Sequence, residues 1–316
     1  MRFLKLVPNN TKIDFAGRRI LAFSITGLLF LVTTFSLWYQ GLNLGLDFTG
    51  GVVVEVASST PPDLGDMREK LNNLGLGEVK LQDFGESGRE VQIRVQPRAN
   101  GSDQQTVAAI REALGTGFEY RRVDVVGPTV SGELFRNGLI ATLLALAGIG
   151  GYVAFRFEWQ FGVSALISTF HDVYITLGLF SVLQLDFNMT AVAALLTLAG
   201  YSINDTVVVF DRMRENARKY KRMSLVDLIN VSVNETLPRT VMTGMTVIIA
   251  VFPLLLVGGS TLLNFSASML FGVIIGTFSS IYVASSLLIY MKPVLRSRAD
   301  DQGDTKPASP TPAKPG

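Results

Sequence analysis

The chain has 316 residues, 48% of them hydrophobic and only 17% charged, and its mean hydropathy of +0.36 lies above that of a water-soluble enzyme of similar length. A formal charge of +2 gives no support to nucleic-acid binding. The absence of cysteine excludes disulfides and thiolate metal sites, and a single histidine excludes a multi-histidine metal centre.

The first apolar run, 20–39, follows the basic residues Lys5, Lys12, Arg18 and Arg19. It is long enough to span a bilayer, is followed by no small-residue cleavage pattern, and ends in Trp38 and Tyr39, which suit the membrane interface; we read it as an uncleaved span. After a polar stretch of nearly a hundred residues, five further runs follow at 139–155, 161–183, 190–210, 241–257 and 265–290, each long enough to cross hydrocarbon. Arg212, Arg214, Arg218, Lys219, Lys221, Arg222 and Arg239 crowd the connection between the fourth and fifth spans, whereas 184–189 and 258–263 carry no basic residue. Positive charge favours the cytoplasmic side, so both termini are expected there and the long segment after the first span outside.

That segment reads as strand 51–57, helix 63–74, strands 79–84 and 91–95, helix 103–114 and strand 118–126, with Gly75 and Gly115 where helix-ending glycines belong. The order βαββαβ predicts an α+β ferredoxin-like domain. The expected organisation is an α-helical membrane protein with six transmembrane helices: a cytoplasmic N-terminus and first span over 1–40, the extracytoplasmic domain over 41–135, and a five-helix membrane region over 136–292. Ser224 and Asp227 resemble a helix cap, and Leu225, Leu228, Ile229 and Val233 share one face, which predicts a short amphipathic helix near 224–237 on the cytoplasmic surface. The tail 293–316 lacks periodicity and reads as disordered.

Asp205 lies inside the fourth span, flanked by Ser202 and Asn204. A carboxylate there costs a few kcal/mol, so it must be paired, protonated or wetted. Burial and an approaching cation act on such a group in opposite directions, so a moving cation can load and unload a proton. Arg239 is the expected partner, read as opening the fifth span after Pro238; an interfacial anchor is the competing reading. His171 and Asp172, in the middle of the third span, are either a second proton-handling pair or a hydrogen-bonded pair that fixes packing. Gly272 and Gly276, with Gly148, Gly150, Gly151, Gly200 and Gly244, allow close helix contact.

Three segments carry a family resemblance: Gly45-Leu-Asp-Phe-Thr-Gly-Gly51, His171-Asp-Val173, and Gly200-Tyr-Ser-Ile-Asn-Asp-Thr-Val-Val-Val-Phe-Asp-Arg-Met-Arg-Glu-Asn216. Together they resemble the SecD/SecF family of bacterial protein-export membrane subunits, on its SecF side by length. The resemblance covers nearly the whole chain and implies a multi-pass protein of the bacterial inner membrane, related to resistance-nodulation-division exporters. It further implies an accessory of the Sec translocase that works with SecD and the SecYEG translocon, uses the proton motive force to draw out a translocating preprotein, and has Asp205 and Arg239 in its proton pathway. No catalytic residue, enzymatic activity, cofactor or nucleic-acid partner is expected. The competing readings are a passive scaffold of the Sec complex, or a half-transporter of the resistance-nodulation-division type.

Overall fold

The computed structural model describes residues 8, 11–84, 88–97, 103–291 and 293. Six helices are long and apolar enough to cross a membrane. The first, α1 (Arg19–Tyr39), is followed by a short helix, α2 (Leu46–Thr49), and then by β1 (Gly51–Ser58), α3 (Leu64–Asn73), β2 (Gly77–Phe84), β3 (Glu90–Pro97), α4 (Asp103–Leu114) and β4 (Phe118–Val126). The remaining spans are α5 (Pro128–Arg156), α6 (Trp159–Leu183), α7 (Met189–Lys219), α8 (Leu225–Val257), and a last one made of α9 (Gly259–Phe278), a π-helical turn (Ser279–Ala284) and α10 (Ser285–Met291). The chain is thus a multi-pass membrane protein.

The four strands pair antiparallel in the order β2-β3-β1-β4, the ferredoxin-like arrangement that the element order predicted. Alternation decides which face is buried. Val52, Val54 and Val56 of β1 and Val91, Ile93 and Val95 of β3 form a core with Met67 and Leu71 of α3 and Ile110 of α4. Asp63 caps α3 by accepting from the Gly65 and Asp66 amides, and Gly75 and Gly115 take positive φ values of 63° and 68° where their helices end. The face without helices is also covered. Val53, Glu55 and Arg94 are buried there, across a cleft of roughly 980 Å³ shared with Leu185, Asp186, Leu256 and Asn264 at the rim of the membrane helices.

Burial separates the spans into two groups. Half or more of the apolar window of α6, α7 and the last span is buried, 50%, 56% and 67%, against 17%, 11% and 17% for α1, α5 and α8. The first three therefore form the interior, and the others expose large apolar side chains such as Leu31, Phe155 and Val257.

Three expected boundaries change. The boundary near 135 falls inside α5, which begins at Pro128 with Gly127 as the single residue after β4; proline suits a first helical position, and nothing afterwards interrupts the helix. The fourth span runs past Asp211 and Arg212 to Lys219, because Arg212 pairs with Glu235 at 2.7 Å and Asp211 accepts from Arg156 at 2.8 Å.

The amphipathic helix expected near 224–237 is the first half of α8. Ser224 does cap it, accepting from the Asp227 amide at 3.1 Å, yet the helix continues through Pro238 to Val257. An internal proline costs about 3 kcal/mol. Ile229, Val233 and Leu237 are buried in one cluster with Phe210, Met213 and Phe157, at about 1.5–3 kcal/mol for each large side chain, so packing outweighs the break. Residues 11–18 are strapped along the same half-helix, with Asn234 bonded to the Ile13 amide and carbonyl and Asn230 to the Ala16 amide. The tail expected over 293–316 lies, apart from Pro293, outside the described residues.

The seam between α1 and α6 depends on small residues: Ser36 and Ser181 share a 2.8 Å hydrogen bond, and a Cβ on Gly178 would lie 2.8 Å from the Thr33 Cβ. Gly178→Ala is expected to force α1 outward and cost about 1–3 kcal/mol, read as a lower thermal midpoint of the full chain in detergent. Gly148→Ala, where a Cβ meets nothing within 4 Å, leaves that midpoint within error.

Candidate ion site within the membrane

Two carboxylates are buried among α6, α7 and the last span. Asp172, on α6, is 0% exposed and Asp205, on α7, is 1% exposed. They differ in their hydrogen bonding. Asp172 Oδ1 faces His171 Nδ1 at 2.9 Å, while its Oδ2 accepts from Ser202 Oγ of α7 at 2.5 Å and from Ser279 Oγ of the π-turn at 2.6 Å. Ser168 Oγ donates in turn to Ser279 Oγ at 3.1 Å. One carboxylate therefore pins three helices, and a group so supplied with donors is well compensated for loss of water.

Asp205 is less well supplied. Its Oδ1 accepts from Thr243 Oγ1 of α8 at 3.2 Å, and its Oδ2 has no hydrogen-bond partner among the described residues. The Tyr201 hydroxyl of α7 is buried beside the Asp205 carboxyl without meeting hydrogen-bond geometry, and Thr240 Oγ1 of α8 is likewise buried without a partner. Leaving a buried polar atom unpaired costs about 1–3 kcal/mol, so this corner of the bundle is built at a loss unless a proton, ion or water occupies it.

Close approach of backbones creates the site. A Cβ on Gly276 would sit 3.4 Å from the Ser202 Cβ and 3.7 Å from Asp172 Oδ2, and one on Gly244 would sit 3.3 Å from the Tyr201 hydroxyl. The π-turn supplies the rest. Its wider winding brings the consecutive residues Ser279 and Ser280 both to the interior. Ser280 Oγ reaches the Ser202 carbonyl at 3.5 Å and Thr206 Oγ1 at 2.9 Å, which extends the hydroxyl chain from Asp172 to the residue after Asp205.

The residues singled out in the sequence divide accordingly. His171, Asp172 and Ser202 come together, and Asp205 lies about one turn further along α7. Asn204 and Arg239 do not join them, since both side chains are exposed on the outer face of the bundle. Arg239 does not open a span: it lies inside α8, and among the described residues no ion pair or hydrogen bond reaches it. Thr243, one turn along α8 from Arg239, makes the direct contact instead. Thr243, Ser279 and Ser280 were missed in the sequence; the doublets Ser279-Ser280 and Ser285-Ser286 in an apolar span were the available signal. Among the described residues no cluster of three acidic, histidine or cysteine side chains could hold a metal ion.

Comparison with known proteins agrees with this architecture. A family model described as "Protein export membrane protein SecD/SecF, C-terminal" matches residues 106–294, and one described as "SecD/SecF GG Motif" matches residues 35–62. The protein translocase subunit SecF of Rickettsia bellii is 41% identical over 289 residues, 90% of this chain and 95% of that protein. Its counterpart in Rickettsia prowazekii is 41% identical over 289 residues, 90% of this chain and 93% of that one.

The crystal structure of SecDF from Thermus thermophilus, a translocon-associated membrane protein, matches with a TM-score of 0.82 and 33% identity over 91% of this chain. SecDF in a super-membrane-facing form matches with a TM-score of 0.66 and 34% identity over 93%. This chain spans 40% of the length of each of those SecDF chains. With the SecF relatives matched almost end to end and the family model covering more than half of the sequence, the chain belongs to the SecD/SecF family of protein-export membrane proteins, on its SecF side.

Proposed function

We propose that this chain, an accessory subunit of the Sec translocase, works with SecD to turn the proton motive force into a pull on preproteins emerging from the SecYEG translocon. Asp205 is the proton carrier and Arg239 the cation that modulates it. The observation that carries this reading is the Asp205 carboxyl, 1% exposed, with one oxygen bonded to Thr243 and the other bonded to nothing among the described residues. A carboxyl with one free oxygen can gain and lose a proton without first breaking a hydrogen-bond network. Asp172, held by two serines and His171, favours a different role: it fixes the packing of α6, α7 and the last span.

Cooperation with SecD has separate support. Asn204, Arg239, Thr197 and Thr246 are exposed on the outward faces of α7 and α8. Polar side chains facing hydrocarbon are costly, and a second membrane subunit laid against this seam would shield them from lipid. The likeness to SecDF chains, of which this one covers 40%, agrees with such a two-part assembly. The charge distribution supports placing the protein in the bacterial inner membrane with both termini in the cytoplasm and the sheet domain outside.

The energy scale fits repeated small strokes. One proton moving down the potential releases about 2.3 kcal/mol per 100 mV, enough to shift a two-state equilibrium by about fifty-fold if fully coupled.

In vesicles holding the full chain with SecD, Asp205→Asn is expected to reduce gradient-driven proton flux to the protein-free background while assembly stays normal; undiminished flux would leave a passive scaffold as the better reading. Asp172→Ala removes the acceptor shared by Ser202 and Ser279 and is expected to lower the thermal midpoint by the equivalent of about 1–3 kcal/mol, whereas Asp205→Asn leaves the midpoint unchanged or raises it.

A further inference from the structure

The motif Gly45-Leu-Asp-Phe-Thr-Gly-Gly51 has no part in the ion site, yet it lies where the sheet domain meets the membrane helices. Gly45 donates to the Phe187 carbonyl at 2.7 Å, and Phe187 donates to the Asn43 carbonyl at 2.8 Å, so the segment before α2 is zipped to the loop between α6 and α7. The approach requires glycine: a Cβ at Gly45 would lie 2.9 Å from the Asn188 Cβ and 3.1 Å from the Phe187 carbonyl oxygen. Asp47 Oδ2 then accepts from the Met189 amide at 2.8 Å, the first residue of α7. A carboxylate at that position complements the positive end of the helix.

A second set of bonds converges on the same loop from the sheet. Arg94 of β3, its side chain 9% exposed, pairs with Asp186 at 2.7 Å and donates to the Leu44 carbonyl at 3.0 Å. Asn43 donates to the other Asp186 oxygen at 2.8 Å and to the Gln184 carbonyl at 3.1 Å, and Asn264 of α9 donates to the Asp186 carbonyl at 3.0 Å. The knot therefore gathers the end of α6, the beginning of α7 and the first turns of α9. These are the three helices whose interiors carry Asp172, then Ser202 and Asp205, and then the approach to Ser279. On the sheet's other side, Gly127 alone separates β4 from α5, which leaves little slack for the domain to move without moving helices.

We infer that Arg94 and Asp47 are positioning residues which transmit displacement of the sheet domain to α7, and through it to Asp205, and the reverse. The inference rests on the proposed role of Asp205. An α-helix between Met189 and Asp205 is a rod on the order of 24 Å long at 1.5 Å per residue, stiff enough that a shift of its Asp47-bound end changes how the Asp205 carboxyl meets Thr243. Coupling of this kind is reciprocal: a change at Asp205 must bias the domain by as much as the domain biases Asp205.

The chain has no cysteine, so Glu69→Cys on α3 and Val257→Cys at the end of α8, both exposed, provide a clean pair for spin labels in the full chain reconstituted in vesicles with SecD. An imposed proton gradient is expected to shift the inter-label distance in the otherwise unaltered chain. That shift is lost in Arg94→Ala and in Asp47→Ala, but kept in Asp66→Ala, which removes only the exposed Lys70 pair of the same domain. Proton flux persists in the Arg94 and Asp47 variants, because the pathway itself is untouched.

A distance shift that survives in both Arg94→Ala and Asp47→Ala, or one absent from the unaltered chain, overturns the inference. Loss of flux together with the shift also overturns it, since that marks the knot as holding up the fold and nothing more. If Asp205→Asn leaves flux intact, the proton-carrier reading fails by that measurement alone, separately from the fate of the distance shift.

Discussion

Placing a carboxyl group among apolar helices carries a penalty that the surrounding structure must offset, and the arrangement of this bundle follows from how that is done twice in different ways. Asp172 is offset almost completely: Ser202 and Ser279 donate to one oxygen and His171 faces the other. Asp205 is offset in part, with Thr243 on one oxygen and no hydrogen bond on the other. A fully hydrogen-bonded buried carboxyl favours a single arrangement, whereas one buried with an unbonded oxygen is not held to one. The two acids lie on neighbouring helices, α6 and α7, so a fully bonded carboxyl stands beside a partly bonded one.

The backbone is shaped to permit this. Gly276 and Gly244 let helices approach until serine and threonine hydroxyls reach across, and the π-turn at Ser279–Ala284 turns two consecutive serines inward. A regular α-helix would separate adjacent side chains by about 100° and could present only one of them well. The outer helices have the opposite composition, apolar and exposed along most of their length. The exception is the seam with Asn204 and Arg239, where polar groups face outward beside the Asp205 turn of α7.

The sheet domain is joined to this machinery by covalent and non-covalent links that all meet at the same rim. Its ferredoxin-like core is closed by α3 and α4 on one face, while the other face directs Arg94 into the loop between α6 and α7. Both faces of β1 are thereby buried, which explains why a domain at a membrane surface contains a strand with seven consecutive buried residues.

The sequence by itself determined the six spans, the βαββαβ order and the presence of carboxyl groups inside the membrane, because each is written in local terms: runs of apolar residues about twenty long, alternation by twos, and a charged residue within a run. It also contained the family motifs. What only tertiary structure decided were the relations between helices. Asp205 meets Thr243 and not Arg239, since helix rotation sets which side chains converge, and the 3.6-residue period of one helix says nothing about its neighbour's angle. The half-helix at 224–237 joins α8 through Pro238 because burial of Ile229, Val233 and Leu237 against Phe157, Phe210 and Met213 outweighs a local break, and that burial requires partners some sixteen to eighty residues away in the chain. The π-turn and the Arg94–Asp186 pair are of the same kind: their residues look ordinary in sequence, and only three-dimensional proximity gives them a task.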